Sequence, residues 1–380
     1  MSKFRHLTVA TVFLATSAGL VAASCSHKSE QTITFSVNKP WYGENKTGFF
    51  EKIEDNYNKN EQNNTKIKIT TEFIGENNDL ATSLLKGKSD VAILTSTLFN
   101  LGDNPKKITP IIQTMTKQFV FDKQASFYEN GSENDPLRLV ADQAYALFAE
   151  KPYKQWTNES YGWNGSIYTK FYEKGEAFTD YYRGLIMIQG TDEELNNITK
   201  AWNDKDWNAF RNFGIVTGSK DSGSKYHVQE ALFKKHFNKE GNKFESFELD
   251  KLANSNKYIE GKARDIGRGA LAKYHIVFDE LGSFAYTKNN KKGKVIDYYT
   301  PENAEAKIKF LTATDPIKYN VFATSKYLDK NIANGLAKSI YETWKEGQDD
   351  YGQTVGFFAY KIINDPQKEV IDPYHKTFGI

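Results

Sequence analysis

A glycine- and serine-rich segment, Gly218–Lys225, has the composition of an anion site. Backbone N–H groups at the start of a helix attract anions, and Ser222, Ser224 and Lys225 would add side-chain donors for a phosphate. A nucleotide-binding P-loop needs lysine before serine or threonine after its second glycine. Here serine precedes lysine, so we exclude an NTPase. The alternative is an ordinary helix cap, in which Ser224 satisfies the first turn.

Two adjacent carboxylates, Asp279 and Glu280, follow a predicted strand over residues 274–278. Ligands of open α/β sheets bind beyond the carboxyl ends of strands, so these carboxylates favour a cationic ligand. The alternative is a solvated turn. Neighbours in a regular strand point to opposite faces, so the pair is not expected to act together on one substrate, as the two acids of a hydrolase would.

Hydroxyl and aromatic side chains follow two other predicted strands. Thr95 and Ser96 come directly after the strand of residues 90–94, and Trp41 comes after the first strand. The hydroxyls would either bond a ligand or cap a short helix. The indole would either stack on a flat ring or cover the edge of the core. Aromatic residues make up 14% of the chain, which fits both a ring-stacking site and a bias of composition.

Patterns for catalysis or metal binding are largely missing. The six histidines form no His-Glu-x-x-His pair, there is no G-x-S-x-G nucleophile elbow, and the single cysteine is Cys25. Asp204-x-Asp206-x-Asn208 copies the opening of a calcium loop, but Ala209 stands where that loop needs glycine. We therefore expect neither an enzyme nor a catalytic cofactor. An EF-hand is excluded, and a looser calcium site stays open as an alternative.

Cys25 stands where an N-terminal export signal would be cut. Lys3 and Arg5 precede an uncharged apolar stretch, and small residues come directly before the cysteine. This order predicts a signal peptide over residues 1–24, a lipid on the Cys25 thiol and a polar tether over residues 25–31. The alternatives are an ordinary signal peptide with a chance cysteine, and a retained membrane anchor. We expect the protein on the extracellular face of the cell membrane, held there by the lipid.

The charge balance argues against nucleic acid as a partner. The chain has 50 Lys and Arg and 48 Asp and Glu, and removing residues 1–24 leaves 48 of each. Binding to a phosphate backbone needs a basic surplus or stripe. Beyond residue 24 no apolar run approaches the roughly 20 residues that span a bilayer. With no second cysteine there is no intrachain disulfide, but a chain of this length buries an ample core.

The spacing of apolar residues predicts alternating strands and helices. Residues 32–94 read as strand, helix, strand, helix, strand, which implies a parallel sheet covered on both faces. A helix at 135–150 opens a second, longer series that ends with the strand at 274–278. Near the C-terminus an amphipathic helix covers 332–344, and another helix is expected to begin within 357–363.

This pattern predicts a two-lobed α/β fold of about two domains. We expect the first lobe to contain residues 31–120 and 290–380, and the second lobe to contain residues 121–289. Each lobe would hold a mixed, mostly parallel sheet flanked by helices. The ligand would bind in the cleft between the lobes, which would close by hinge motion.

Five segments match one known family in long runs of residues. They are Trp163–Tyr168 (WNGSIY), Tyr182–Ile188 (YRGLIMI), Ala201–Asn208 (AWNDKDWN), Phe210–Ile215 (FRNFGI) and Glu280–Tyr286 (ELGSFAY). With the cysteine pattern, they make the chain resemble the mycoplasma extracytoplasmic thiamine-binding lipoproteins. The resemblance implies the architecture of type II periplasmic binding proteins and a relation to the phosphonate-binding receptors of ABC importers.

The resemblance implies a monomer that captures thiamine or thiamine pyrophosphate for a membrane ABC permease. Aromatic rings would stack on the ligand, carboxylates would balance the thiazolium charge, hydroxyls and a lysine would hold the hydroxyethyl arm or its phosphates, and amides would bond the amino group. The candidates for ring stacking are Trp41, Trp163 and Tyr182, and the candidate carboxylates are Asp279 and Glu280. The candidates for holding the arm or its phosphates are Thr95, Ser96, Ser222, Ser224 and Lys225. The candidate amides are Asn164 and Gln113. The family motifs add Arg183 to the candidates.

Other functions stay open on the sequence. One is a receptor for a phosphonate or another phosphorylated solute, which the anion-binding relatives of the family would favour. Another is a surface interaction or adhesion lipoprotein, which a large exposed apolar patch away from the cleft would favour. A secreted hydrolase ranks below both, because the sequence shows no nucleophile with its base and no metal set.

Overall fold

The computed structural model describes residues 30–380, and its strands form two separate sheets. The strands are β1 (Glu30–Asn38), β2 (Lys66–Ile74), β3 (Val91–Leu94), β4 (Ile108–Lys117), β5 (Phe178–Thr179), β6 (Tyr181–Tyr182), β7 (Gly184–Gly190), β8 (Ile215–Thr217), β9 (Tyr258–Glu260), β10 (Ile276–Glu280), β11 (Asn290–Lys291), β12 (Lys294–Val295), β13 (Lys307–Ala313), β14 (Ile317–Lys318), β15 (Val321–Ser325) and β16 (Ala359–Ile362). The predictions for residues 1–29, including the lipid on Cys25, lie outside the described residues.

Helices cover the faces of both sheets. They are α1 (Gly48–Lys59), α2 (Asn77–Leu85), α3 (Ser96–Phe99), α4 (Asn104–Lys107), α5 (Pro136–Phe148), α6 (Asn158–Tyr161), α7 (Asp192–Asn203), α8 (Trp207–Asn212), α9 (Val228–His236), α10 (Phe247–Asn254), α11 (Lys330–Lys345) and α12 (Asp372–Phe378). Within residues 30–380 none of these helices has the length and apolar character needed to cross a membrane.

The first sheet has the strand order β16-β4-β15-β3-β1-β2, with β5 added beside β4. β1 pairs in parallel with β2 and β3, whereas β15 runs antiparallel to β3 and β4. Successive side chains of a strand point to opposite faces, so Val91 and Ile93 pack with α1 and α11, while Ala92 and Leu94 pack with α2. The sheet is therefore buried on both faces.

The second sheet has the strand order β13-β7-β10-β8-β9. β10, β8 and β9 are parallel, and β7 runs antiparallel to both β10 and β13. Both sheets are thus mixed. In the first sheet antiparallel pairs outnumber parallel ones by four to two, and in the second there are two of each, so the expectation of mostly parallel sheets was wrong. Much of the chain's aromatic content packs here: Phe284, for example, lies 5.1 Å from Phe171 and 5.2 Å from Phe148, measured between ring centroids.

The two sheets are joined by short connections, of which residues 179–184 and 313–321 are two. Arg183 holds these connections together. Its guanidinium donates to Asp122 Oδ2 at 2.8 Å, to the carbonyl of Ser126 at 2.8 Å and to the carbonyl of Thr314 at 3.0 Å. The strand pair β6–β14 also lies in these connections. A buried ion pair therefore ties together segments that connect the two sheets.

Three further sequence predictions differ from this structure. β13 pairs with β7 in the second sheet, so the segment through residue 313 joins that sheet rather than returning at residue 290. Residues 357–363 form no helix, because β16 pairs antiparallel with β4 and buries Ala359 and Tyr360. Asp279 and Glu280 lie within β10 rather than beyond its end, since the ladder with β7 continues to Gly184.

Candidate functional site

Two neighbouring cavities open between the sheets. The larger, of about 730 Å³, contains the side chains of twelve aromatic residues, and we call it the aromatic chamber. Those residues are Trp41, Tyr42, Phe119, Trp163, Tyr172, Tyr181, Tyr182, Tyr286, Tyr298, Tyr299, Tyr319 and Phe358. The smaller, of about 510 Å³, is lined by Thr95, Ser219, Ser222 and Ser224 among others, and we call it the hydroxyl chamber.

Glu280 stands where the two chambers meet. Its Oε2 accepts a hydrogen bond from Ser224 Oγ at 2.9 Å, and its Oε1 accepts one from Tyr286 Oη at 3.0 Å. Burial raises the pKa of the Glu280 carboxyl, while Lys225, Ser224 and Tyr286 act in the opposite direction. Two fixed donors therefore hold a largely desolvated carboxylate in one orientation.

Tyrosine rings surround this carboxylate. Tyr182 and Tyr319 pack edge to face, with centroids 5.4 Å apart, and both line the two chambers. Burial, together with the negative charge of Glu280, raises the pKa of the Tyr172, Tyr182 and Tyr319 hydroxyls. These rings stay neutral at physiological pH. The site consequently offers one acidic group within aromatic walls, an arrangement that suits a flat cation.

Asp279 is held differently from its neighbour. Its carboxylate is buried, accepts hydrogen bonds from Ser283 Oγ and Tyr299 Oη, and lies 3.6 Å from Lys225 Nζ. The charge of Asp279 is the main cause that raises the pKa of Lys225, which burial alone would lower. Asp279 is therefore already compensated by protein groups, and Glu280 is the better candidate for contact with a cationic ligand.

Three side chains of the Gly218–Lys225 segment contact protein groups: Ser222, Ser224 and Lys225. Ser222 is the helix cap, because its Oγ accepts from the backbone N–H of Lys225 at 3.1 Å. Ser224 Oγ donates to Glu280, so the alternative in which Ser224 caps the first turn is wrong. A Cβ on Gly223 would lie 2.6 Å from Tyr182 Oη, which explains glycine at this position. The segment thus positions Glu280 and Tyr182.

Some of the other predicted residues line a chamber and some do not. Trp41, Trp163 and Arg183 line the aromatic chamber, although the guanidinium of Arg183 is used by Asp122 and backbone carbonyls. Thr95 caps α3 and lines the hydroxyl chamber.

Three predicted residues do not reach either chamber. Ser96 is buried and donates to the Lys318 carbonyl at 2.6 Å. Gln113 is buried in β4, and its amide donates to backbone carbonyls, including that of Tyr319 at 2.9 Å. Asn164 Oδ1 accepts from the N–H groups of two residues in its own turn, at 3.0 Å each. None of the three lines either chamber, so the contact of each with a ligand stays a prediction that this geometry does not support.

Sequence reasoning missed several residues of the site. Tyr172, Tyr286 and Tyr319 surround Glu280, and no spacing rule singles them out from the other tyrosines. Four cationic residues of the aromatic chamber were also missed: Lys262, Arg264, Lys288 and Lys291. For two of them a signal existed, because residues 288–294 hold four lysines and no acidic residue.

The calcium alternative finds no support in the geometry. Asp206 Oδ1 caps α8, accepting from the N–H of Ala209 at 3.1 Å and from Asn242 Nδ2 at 2.7 Å. Asp204 pairs with Lys200. Within residues 30–380 no group of three or more His, Cys, Asp or Glu side chains is arranged to hold a metal ion.

Comparison with known proteins decides the family. The model of the extracytoplasmic thiamine-binding lipoprotein family matches residues 44–379. The chain belongs to this family. The high affinity transport system protein p37 of Mesomycoplasma hyorhinis is 35% identical over 369 residues, which cover 92% of this chain and 89% of p37. Its namesake from Mycoplasma pneumoniae is 30% identical over 373 residues, which cover 94% of each chain.

A solved structure of the M. hyorhinis protein supports the same assignment. It superposes with a TM-score of 0.82 at 34% identity, covers 92% of this chain and 99% of its own, and is described as a proposed thiamine pyrophosphate transporter. The family and the type II binding-protein fold predicted from the sequence are confirmed. The named relatives are described as transport proteins, not as enzymes.

Proposed function

We propose that this protein is a lipid-anchored receptor that captures a thiamine-type ligand between its two sheets and delivers it to an ABC permease. One observation carries the proposal: Glu280, fixed by Ser224 and Tyr286, presents a carboxylate inside an aromatic chamber. Thiamine joins a flat aminopyrimidine to a cationic thiazolium. A desolvated carboxylate attracts such a cation more strongly than an exposed one does.

The walls of the chamber suit the rings of this ligand. Trp163 and Tyr182 line it, and Trp41, whose side chain is 65% exposed, stands at its mouth. Ring stacking with a cation–π component would add to the attraction of Glu280 for the thiazolium. The volume of about 730 Å³ lies within the range of roughly 300–1,000 Å³ that is usual for small-molecule sites.

Contacts across the mouth support a cleft that closes on its ligand. Tyr42, in the loop between β1 and α1, places its Oη 2.9 Å from the Gln353 carbonyl and 3.4 Å from Ser166 Oγ. Gln353 belongs to the part of the chain built on the first sheet, whereas Ser166 lies beside the core of the second. Tyr42 therefore bridges the two sides, and opening would break its contact with Ser166.

The proposal includes a lipid anchor that keeps the receptor close to its permease in the membrane. A lipid on Cys25 would hold the receptor beside the membrane, and the short polar segment before β1 would serve as its tether. Replacing Cys25 with serine should release the protein from the membrane and impair uptake. Ligand affinity should stay unchanged, because the residues named as lining the two chambers lie between positions 38 and 358 of the chain.

Isothermal titration of the chain from residue 26 tests the proposal. The protein is first stripped by unfolding and refolding, because receptors of this class often purify with ligand bound. Thiamine and thiamine pyrophosphate are then titrated separately, with Tyr327→Ala as a control for an exposed aromatic residue outside both chambers. Absence of heat and of any thermal shift with both compounds would refute the proposal. Saturable binding, equal in the control variant, would support it.

A receptor for another phosphorylated solute is a second candidate. The cationic side chains of the aromatic chamber favour it, because they would attract a phosphate whatever group it is attached to. Titration with a phosphonate separates the two candidates. Phosphonate binding without thiamine binding would select this alternative.

A further inference from the structure

The first sheet carries a cluster of lysines at the end that faces away from the cleft. Trp41 and Thr95 follow the carboxyl ends of the parallel strands β1 and β3 and line the cleft. The lysines lie beyond the amino ends of β3 and β4, and beyond the carboxyl end of β15, which pairs antiparallel with both strands. They are Lys86, Lys88, Lys106, Lys107, Lys326 and Lys330, all exposed, and we call them the lysine face.

Backbone hydrogen bonds hold the loops of the lysine face side by side. The N–H of Lys326 donates to the carbonyl of Lys107 at 3.1 Å, and the N–H of Ser325 donates to the carbonyl of Asp90 at 3.2 Å. The three loops therefore form one continuous surface.

The acidic residues in these loops do not neutralise the lysines. Asp90 Oδ2 accepts from the backbone N–H of Thr34 at 2.8 Å, Asp329 Oδ1 caps α11, and Asp103 pairs with Lys106 at 2.7 Å. Within the part of the chain that the structure describes, the other five lysines have no ion-pair partner. Six lysines against three aspartates leave an excess of positive charge, although residues 30–380 as a whole hold 47 Lys and Arg and 48 Asp and Glu.

The charges on either side of the lysine face are balanced. In the ladder of β1 with β2, Glu30 lies opposite Lys66. Past β16 there are two ion pairs, Lys361 with Glu369 at 2.8 Å and Lys368 with Asp365 at 3.5 Å. The excess of positive charge is therefore concentrated at the ends of β3, β15 and β4.

Two apolar side chains are exposed beside these lysines. Tyr327 is 86% exposed, and the Nζ of Lys326 lies 5.6 Å from the centroid of its ring. Leu85, next to Lys86, is 40% exposed. Tyrosine is enriched at membrane interfaces because its ring is apolar and its hydroxyl is polar, and lysine likewise joins an apolar stem to a charged head. This composition suits contact with a layer of lipid headgroups.

The lysine face lies at the end of the sheet where the chain enters the fold. Only residues 26–29 separate Cys25 from β1, and five extended residues span at most about 18 Å. Because β1 pairs in parallel with β3, the amino end of β1 lies at the same end of the sheet as Lys88. A lipid on Cys25 would therefore hold this end of the molecule near the membrane.

We propose that the lysine face binds anionic lipid headgroups of the membrane that carries the anchor, and that it orients the receptor with its cleft towards the medium. The inference rests on the proposed function for the lipid on Cys25, which brings the face to the bilayer. Each lysine near an anionic surface strengthens binding by about fivefold, and salt weakens the attraction. The nine residues of β1 separate the lysine face from the cleft by roughly 30 Å, so membrane contact leaves the cleft open to solute.

Sedimentation with lipid vesicles tests the surface without the anchor. The chain from Cys25, with its thiol alkylated, is mixed with vesicles of phosphatidylcholine alone or of phosphatidylcholine and phosphatidylglycerol in equal parts. The wild type should bind the anionic vesicles at least about tenfold more tightly than the neutral ones, and salt should release it. Lys88→Gln, Lys107→Gln and Lys326→Gln combined should weaken binding to the anionic vesicles by about a hundredfold.

The matched control removes the same charge elsewhere. It replaces three exposed lysines from the chain between β4 and β13 with glutamine: Lys154, Lys239 and Lys294. This control should bind the anionic vesicles like the wild type. Thermal melting confirms that both triple variants are folded, and both should bind thiamine with wild-type affinity, because none of the six lysines lines either chamber.

Hydrogen exchange of the anchored protein tests the orientation. Because Cys25 is the single cysteine, a maleimide lipid attaches the chain to vesicles at that position alone. On anionic vesicles, compared with neutral ones, exchange should slow in residues 85–88, 106–107 and 326–330. It should stay unchanged at the mouth of the cleft around Trp41 and Gln353.

The outcomes separate this inference from the proposed function. Equal binding of the wild type to neutral and anionic vesicles, or an equal loss in the lysine-face variant and its control, would overturn the membrane surface. Slower exchange at the mouth of the cleft instead of the lysine face would overturn the orientation. Each of these results leaves thiamine capture standing, because titration of thiamine needs no membrane. Absence of thiamine binding would refute the proposed function and leave the vesicle result unchanged.

Discussion

Ser224 Oγ donates a hydrogen bond of 2.9 Å to Glu280 Oε2, which joins the glycine- and serine-rich segment to the carboxylate at the centre of the cleft. The segment has the composition of a phosphate site, yet its most buried hydroxyl is directed at an anion of the protein. The composition of the segment predicts a site for an anion, whereas this contact places a carboxylate of the protein there. Under the proposed function, the protonation state of Glu280 would control the binding of the cationic ring.

Removing the Ser224 hydroxyl should shift the pH dependence of thiamine binding. Burial already raises the pKa of the Glu280 carboxyl, and Ser224→Ala removes a donor that lowers it, so the pKa should rise further. The thiazolium favours the ionised carboxyl. Affinity should therefore be full above this pKa and fall by about tenfold per pH unit below it.

Titration of thiamine across pH measures that midpoint in both proteins. Ser222→Ala is the matched control, because its hydroxyl caps the Gly223–His227 turn without touching Glu280. The control should lose about 1 kcal/mol of stability and keep the wild-type midpoint. A midpoint that is identical in Ser224→Ala and the wild type would show that the bond does not act on the ligand.

Trp41→Ala should weaken thiamine binding with little effect on folding. The indole lines both chambers, but 65% of its side chain is exposed, so its removal leaves little cavity in the core. Loss of a stacking ring should lower affinity by roughly tenfold. Calorimetry measures the affinity and thermal melting the stability. A large fall in melting temperature with unchanged affinity would assign Trp41 to structure alone.

The sequence predicted the architecture better than the site, for a physical reason. Alternation in β1 and the stripe of Ile332, Leu336 and Ile340 in α11 are local patterns, and each places the expected residues in the core. Hydrogen bonds depend on distant partners. Nothing near Gln113 in the sequence indicates that its amide is used by backbone carbonyls of residues 319 and 320.

The site residues that sequence reasoning missed also depend on contacts between distant parts of the chain. Lys262, Arg264 and Lys291 share one chamber only because β9 and the β11–β12 hairpin converge in the fold. The strand 357–363 was mistaken for a helix because its apolar run is short, and pairing with β4 decided its structure.

His236 should make the protein less stable in acid. The imidazole stacks on Trp202 at 3.7 Å between centroids, its Nε2 lies 2.8 Å from the Trp202 carbonyl, and its Nδ1 lies 3.0 Å from Tyr128 Oη. Burial lowers the pKa of His236 to about 3. The unfolded chain binds a proton below about pH 6.5, whereas the folded protein does not.

The contribution of His236 to the free energy of unfolding should therefore be fully present above that pH and be lost as the pH falls towards 3. At pH 5 the loss from this residue should be about 2 kcal/mol. Urea unfolding of wild type and His236→Gln at pH 7.5 and pH 5 measures this contribution. His375→Gln, in the C-terminal helix α12, is the control, because His375 lies outside the core. An equal acid sensitivity of wild type and His236→Gln would contradict the assignment.

Asp122→Ala should destabilise the junction between the sheets. It would leave the buried Arg183 guanidinium without its counter-ion, a change that typically costs about 3 kcal/mol or more. Denaturant unfolding measures the loss, and Asp180→Ala, which breaks a half-buried pair with Lys318, should cost less. Equal losses of unfolding free energy in the two variants would show that the buried Arg183–Asp122 pair stabilises the protein no more than the Asp180–Lys318 pair does.

Replacing Glu280 with glutamine tests the central claim most directly, because it removes the negative charge and nearly keeps the shape of the side chain. The amide oxygen accepts a hydrogen bond from one of the two hydroxyls, and the other hydroxyl rotates to accept from the amide NH2. Calorimetric titration of stripped wild type and Glu280→Gln with thiamine at neutral pH is the measurement. We predict saturable binding in the wild type, a loss of at least about tenfold in affinity in the variant, and equal melting temperatures without ligand. Binding of thiamine by folded Glu280→Gln with wild-type affinity would contradict the account.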